Sequence, residues 1–217
     1  MTPANSDPHQ GQPLLAAGAP LDQARAAIVL VHGRGASAAN ILELAELLAF
    51  EGVAYLAPQA AGNTWYPYPF TAPLASNEPW LSSALRAIGA ILDRLAQVGI
   101  PPSRTLLLGF SQGACLMLEY VARHAQRYGG VAGLSGGLIG PDDTPRDYPG
   151  ALASTPVFLG CSDIDPHIPK ERVEDSAAVL RGLGADVTMR LYPGMGHTTN
   201  DDELAFVRRM LADLVNG

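Results

Sequence analysis

Short apolar runs recur along the chain: AIVLV at 27–31, VAYLA at 53–57, TLLLG at 105–109, VAGL at 131–134, PVFLG at 156–160 and DVTMRLY at 186–192. Their length, their aliphatic content and the turn residues around them predict strands, most of them covered on both faces. Between them the period changes. Ile41, Leu44, Ala45 and Leu48 recur at helical intervals within 38–50, and Leu81, Leu85, Ile88 and Leu92 do so within 80–98. Further helices are predicted at 112–126, 170–183 and 201–215, the last opened by Asn200 as cap with Glu203 three residues on. Strand and helix alternate, so the predicted class is α/β, with a mostly parallel central sheet and helices on both faces. Residues 1–20 read as an arm or edge hairpin and 21–217 as one domain.

In such a sheet, ligands bind in the crevice beyond the carboxyl ends of the strands, so chemistry is expected just after each strand. The connection 58–77 is long for a compact domain, and connections of that length usually carry function. Two strand exits share the pattern G-x-S-x-G: GFSQG at 109–113 and GLSGG at 133–137. Context separates them. Ser111 stands between a strand and the amphipathic stretch ACLMLEYVARHA, so the chain must turn sharply into a helix, and glycines at 109 and 113 remove side chains that would collide. That turn pushes the hydroxyl outward at a helix N-terminus, where free N–H groups favour developing negative charge. Ser135 is followed by GGLIGPDDTPRDYPG, which cannot start a helix, and reads as a Gly-rich strand exit.

A serine hydroxyl is a poor nucleophile until a base takes its proton, and the base must be oriented by an acid. Five histidines are available. His9 and His124 are expected at solvent. His32 follows a strand but sits among glycines, which leaves it a weaker alternative. His197, in the loop YPGMGHTTN after the last predicted strand, can hang over the crevice and is the preferred base. Activity should then rise as pH climbs through the imidazole range, about 6.5 unperturbed. The acid is sought after the preceding strand, in CSDIDPHIP, where Pro166 biases Asp165 toward a fixed, extended geometry. Asp165 is chosen over Asp163, and His167 is read as a loop side chain. An oxyanion requires two preset donors. The Gln112 N–H at the helix start supplies one, and HGRGAS at 32–37 offers the Arg34 N–H as the other.

Taken together, VHGRGAS, LAPQA, GFSQGA, GLSGG, SDIDPHIP and YPGMGH resemble, in order and over most of the chain, the small phospholipase/carboxylesterase family of α/β-hydrolases, which includes acyl-protein thioesterases. The resemblance implies Ser111, Asp165 and His197 as a catalytic triad, Arg34 and Gln112 amides as the oxyanion hole, a minimal hydrolase core without a large cap domain, and no cofactor. The leading reading is a serine hydrolase that cleaves small-molecule carboxylic esters with short to medium acyl or aryl groups through an acyl-enzyme on Ser111, with a thioesterase or lysophospholipase as the near alternative and a non-catalytic ligand-binding relative as the distant one. Trp65 and Tyr66 resemble the family's substrate-contacting aromatic pair, although Pro67 breaks the match that follows. The chain departs from the family in two further places. Arg34 stands where many members carry an aliphatic residue, a cation expected to favour anionic or polar substrates, and Cys161–Ser162 stand where His-Gly is common.

Composition narrows the picture further. With 217 residues, 47% of them apolar, the chain can bury a substantial core. A net charge of -7 argues against a surface built for nucleic acid. Two cysteines, no H-E-x-x-H and no P-loop argue against a disulfide framework, a metal centre and a nucleotide site. No long apolar run or basic leader is visible, so no membrane span and a cytoplasmic location are expected, with a homodimer left open.

Overall fold

All six predicted strands form in the computed structural model, which describes residues 7–217. They are β2 (Ala26–Val31), β3 (Val53–Pro58), β4 (Thr105–Phe110), β5 (Gly130–Leu134), β6 (Pro156–Ser162) and β7 (Asp186–Tyr192), and β1 (Leu14–Gly18) joins them from the N-terminal stretch. The sheet order is β1-β3-β2-β4-β5-β6-β7. Only β1 runs antiparallel, paired with β3 from Leu14↔Pro58 to Gly18↔Ala54. The N-terminal stretch is therefore a sheet edge beside a strand it does not adjoin in sequence, rather than half of a hairpin. Residues 1–6 lie outside the described part.

Period-two alternation along each strand divides the core into two layers. Ala27, Val29 and Val31 of β2 point to one face, where α3 (Trp80–Gln97), α4 (Gln112–Arg123) and α5 (Lys170–Gly182) cover them with residues such as Ile88, Leu116 and Val173. Ala26, Ile28 and Leu30 point to the other, against α1 (Ala38–Leu42), α2 (Leu44–Leu47) and α6 (Asp201–Asn216), through Ile41, Ala45 and Val207. The sequence periodicity predicts one helix over 38–50. Two form instead, because Glu43 N turns back to Asn40 O at 3.3 Å and tightens the chain there. Helix α4 also stops earlier than its pattern suggests: the His124 amide makes the last bond of the ladder, to Tyr120 O at 3.0 Å, and its backbone then leaves helical geometry with φ -122° and ψ 51° while its ring Nδ1 lies 3.0 Å from the same carbonyl. No helix of the described residues is long and apolar enough to cross a membrane.

The chain leaves β2 toward β3 on one side and later returns to β4 on the other, in register at Val31↔Gly109. That reversal opens a crevice beyond the carboxyl ends of β2 and β4. The loops carrying Arg34 and Ser111 meet there.

Candidate active site

Ser111 occupies the turn between β4 and α4 with φ 55° and ψ -120°, a region that non-glycine residues rarely occupy. Its amide donates to Leu134 O at 2.9 Å, and its own carbonyl accepts Cys115 N at 3.0 Å, so backbone bonds on both sides hold the turn. The flanking glycines are required by space. A Cβ on Gly109 would lie 2.4 Å from Gly113 O, and one on Gly113 would lie 2.1 Å from Val31 O. The serine side chain does not cap α4. It is left free for the histidine that approaches from the other side.

His197 Nε2 lies 2.9 Å from Ser111 Oγ, and its Nδ1 lies 2.7 Å from Asp165 Oδ2. A carboxylate only accepts, so Nδ1 carries the proton and donates to Asp165, which leaves Nε2 to accept from the serine hydroxyl. Burial pushes the Asp165 carboxyl up. The His197 ring and the amides of His167 and Ile168, which donate to Oδ1 at 2.8 and 3.0 Å, outweigh that and hold it below the usual carboxylate range. Asp163 serves the histidine loop instead. Its Oδ1 accepts Gly194 N at 2.8 Å, while Ser162 Oγ accepts Gly196 N at 3.1 Å. These two bonds pin the loop that presents His197. Gly194 and Gly196 have φ of 68° and 80°, which explains the glycines in YPGMGH. The ring itself is held between Phe110, with centroids 5.2 Å apart, and His167, edge-on at 4.8 Å.

The loop after β2 closes on the same point. A Cβ on Gly33 would stand 3.3 Å from Ser111 Cβ, so its backbone lies directly against the serine. The Gly35 amide is bonded to Asn63 O at 2.8 Å and the Ala36 amide to Gly33 O at 3.2 Å. The Gln112 amide, as the first residue of α4, has no acceptor within the helix. His32 is fully buried: its Nδ1 donates to Gly33 O at 2.8 Å and its Nε2 accepts Ala60 N at 3.1 Å, and burial pushes its pKa below the ordinary imidazole value. Both nitrogens are committed to the backbone, so His32 shapes the loop and has no ring nitrogen left for Ser111.

Above the serine opens a cleft of about 550 Å³, lined by Arg34, Tyr66, Phe70, Cys115, His167 and Ile168 among others. Tyr66 and Phe70 come from the long connection, as expected. Trp65 does not line the cleft, which corrects its assignment to substrate contact. Its ring is fully buried between His9 and His32, with centroids 5.3 and 5.0 Å away, and Nε1 donates to His32 O at 2.9 Å. The indole holds the floor of the loop after β2. His9, expected at solvent, is also buried, with its ring nitrogens bonded to Trp65 O at 2.9 Å and Ala61 N at 3.1 Å. The Gln112 side chain stitches the aromatic loop to α4, its Oε1 accepting Trp65 N at 2.9 Å and its Nε2 donating to Tyr66 O at 2.8 Å. Burial pushes the Cys115 and Cys161 thiols up to about 12, so neither is a thiolate near neutral pH.

The sequence profile of the phospholipase/carboxylesterase family matches residues 15–215. The chain belongs to that family. The solved structure of a phospholipase/carboxylesterase from Dyadobacter fermentans is 41% identical, superposes with a TM-score of 0.89, and is matched over 93% of this chain and 96% of its own. A protein named probable carboxylesterase SOBER1-like from Arabidopsis thaliana is 27% identical over 87% of this chain and 78% of its own length. Acyl-protein thioesterase 1 of Gibberella zeae is 38% identical, but over 52% of this chain and 51% of that protein. The chain thus aligns with about half the length of the fungal relative. The seven-stranded sheet, with no cap over it among the described residues, is the α/β-hydrolase arrangement this family uses.

Proposed function

We propose that this chain is a serine hydrolase that cleaves carboxylic esters with short to medium acyl or aryl groups. Ser111 Oγ attacks the carbonyl carbon while His197 Nε2 takes its proton, and Asp165 stabilises the imidazolium that results. The amides of Arg34 and Gln112 hold the oxygen that becomes negative. The carbon–oxygen bond to the alcohol then breaks, His197 returns the proton to the departing alcohol, and the acyl group stays as an ester on Ser111. A water molecule, deprotonated by His197, attacks that ester, and the carboxylic acid leaves as the proton returns to Ser111. The observation that carries this reading is the continuous hydrogen-bonded series from Ser111 Oγ to His197 to Asp165, at 2.9 and 2.7 Å.

A thioester reading shares every step up to the leaving group, and the name of the fungal relative favours testing it. The two free, buried cysteines fit a reducing compartment such as the cytoplasm. The experiment is labelling with a serine-reactive phosphonate followed by mass mapping. An adduct on Ser111 that is lost in His197→Ala is the expected result; a chain that takes no label is a binding protein. A panel of acyl and thioacyl esters of graded length then ranks the substrates.

A further inference from the structure

The side chains lining the cleft include no carboxylate, although the chain as a whole carries a net charge of -7. Arg34 stands at its rim. The guanidinium donates from Nη1 to Pro67 O and from Nη2 to Tyr68 O, each at 2.9 Å, and its carbon lies 5.9 Å from the centre of the Tyr66 ring. Two neutral carbonyls and a ring orient the fork without cancelling its charge, and Arg34 has no ion-pair partner among the described residues. Two of its five N–H groups are occupied, and the side chain is exposed. Asp165, the carboxylate behind His197, is spent on that ring and on two amides, and does not compete for the guanidinium. A pre-oriented, uncompensated planar cation at the mouth of a cleft whose walls include Tyr66, Phe70 and Ile168 matches a ligand that is apolar near its ester and anionic further along.

We infer that Arg34 makes this cleft selective for esters bearing a carboxylate a few atoms from the scissile carbonyl. This rests on the hydrolase reading above and names the substrate class within it. Holding the fork in advance lowers the ordering cost of capture, and the cation draws in a substrate that the molecule's net charge would otherwise repel.

Paired esters of matched size test the inference, one pair for each side of the scissile bond. On the acyl side, the para-nitrophenyl monoester of adipic acid is compared with para-nitrophenyl hexanoate. On the alcohol side, para-acetoxybenzoate is compared with para-tolyl acetate. A charge-assisted contact at a solvent-open rim is expected to give about a tenfold preference in kcat/KM for the charged member of one pair. That ratio should fall toward one in Arg34→Gln, return in part in Arg34→Lys, and shrink as salt is raised; these shifts in a ratio would not follow from a merely structural role of the side chain. Turnover of the neutral esters with a ratio at or below one in both pairs, or a ratio unchanged in Arg34→Gln, overturns the inference and leaves the hydrolase reading standing. Failure to turn over any ester overturns the hydrolase reading and this inference with it.

Discussion

Alanine at position 113 opposes two effects of different size. In a helix interior, Gly→Ala normally stabilises by about 1 kcal/mol, because alanine has less backbone freedom to lose. Gly113 lies in the first turn of α4, but its new Cβ would stand 2.1 Å from Val31 O and 2.6 Å from His32 O. Ordinary carbon–oxygen contact lies near 3.3 Å, so helix and strand must separate by roughly 1 Å at a site where both are fully buried. Overpacking of this kind costs about 1–3 kcal/mol, and backbone on both sides leaves no rotamer to absorb it. The clash outweighs the helical gain by up to about 2 kcal/mol, so Gly113→Ala should lower Tm by up to about 8 °C in a domain of this size. Activity should fall further than stability, since the displaced carbonyls lead directly into the Gly33–Arg34 loop. Gly182→Ala is the control. That residue closes α5 with nothing within 4 Å of the added methyl, so the same substitution should be neutral or raise Tm slightly. Thermal unfolding followed by circular dichroism, with ester hydrolysis measured below the transition, decides the matter. A Gly113→Ala protein as stable and active as the parent would refute the close approach of α4 to β2, and with it the explanation of the paired glycines.

Asp165→Asn keeps the shape of the acid but removes its charge, and should lower kcat by about four orders of magnitude with little change in Tm. Asp163→Asn, which weakens one bond to the His197 loop, should cost less than about tenfold, and equal losses would overturn the choice of acid. Glu203 is buried with Oε1 unpartnered among the described residues, and burial raises its carboxyl from 4.5 to about 7. The folded state therefore holds the proton more tightly; this contribution is complete below 4.5 and is lost as pH rises through about 7. Glu203→Gln should then be more stable than the parent at pH ~8, by up to about 3 kcal/mol, with the gap closing toward pH ~4.5, as read from urea midpoints. Trp65→Phe removes the donor to His32 O and should cost about 1–3 kcal/mol while leaving KM for small esters within twofold, because the ring is not in the cleft.

Ser111, Asp165 and His197 are legible as chemistry because each follows a strand, and the sheet topology of α/β chains puts such positions at one edge. Period-two and helical spacing locate those strands without any tertiary information. Trp65 misleads for a physical reason. An aromatic cluster in a long loop announces burial of large rings, but not whether they bury against a ligand or against the protein. That choice is made by His9, whose ring packs on Trp65 across 56 positions of sequence. The same limit hides the side chain of Gln112. Its amide is expected at the oxyanion because position after the nucleophile suffices to predict it, whereas its side-chain bonds to Trp65 N and Tyr66 O depend on where the loop returns.

That return links two halves of the site. Gln112 begins at the helix start beside Ser111 and ends on the backbone of the cleft wall; Arg34 begins in the loop after β2 and ends on the carbonyls of Pro67 and Tyr68. Both residues whose amides are proposed to hold the oxyanion thus also grip the loop that carries Tyr66 and Phe70. Displacing that loop pulls on the two side chains together, so the wall and the proposed oxyanion donors shift as one unit. Substitutions at Pro67 and Pro69 should accordingly change kcat as well as KM, which distant wall residues acting on binding alone would not do.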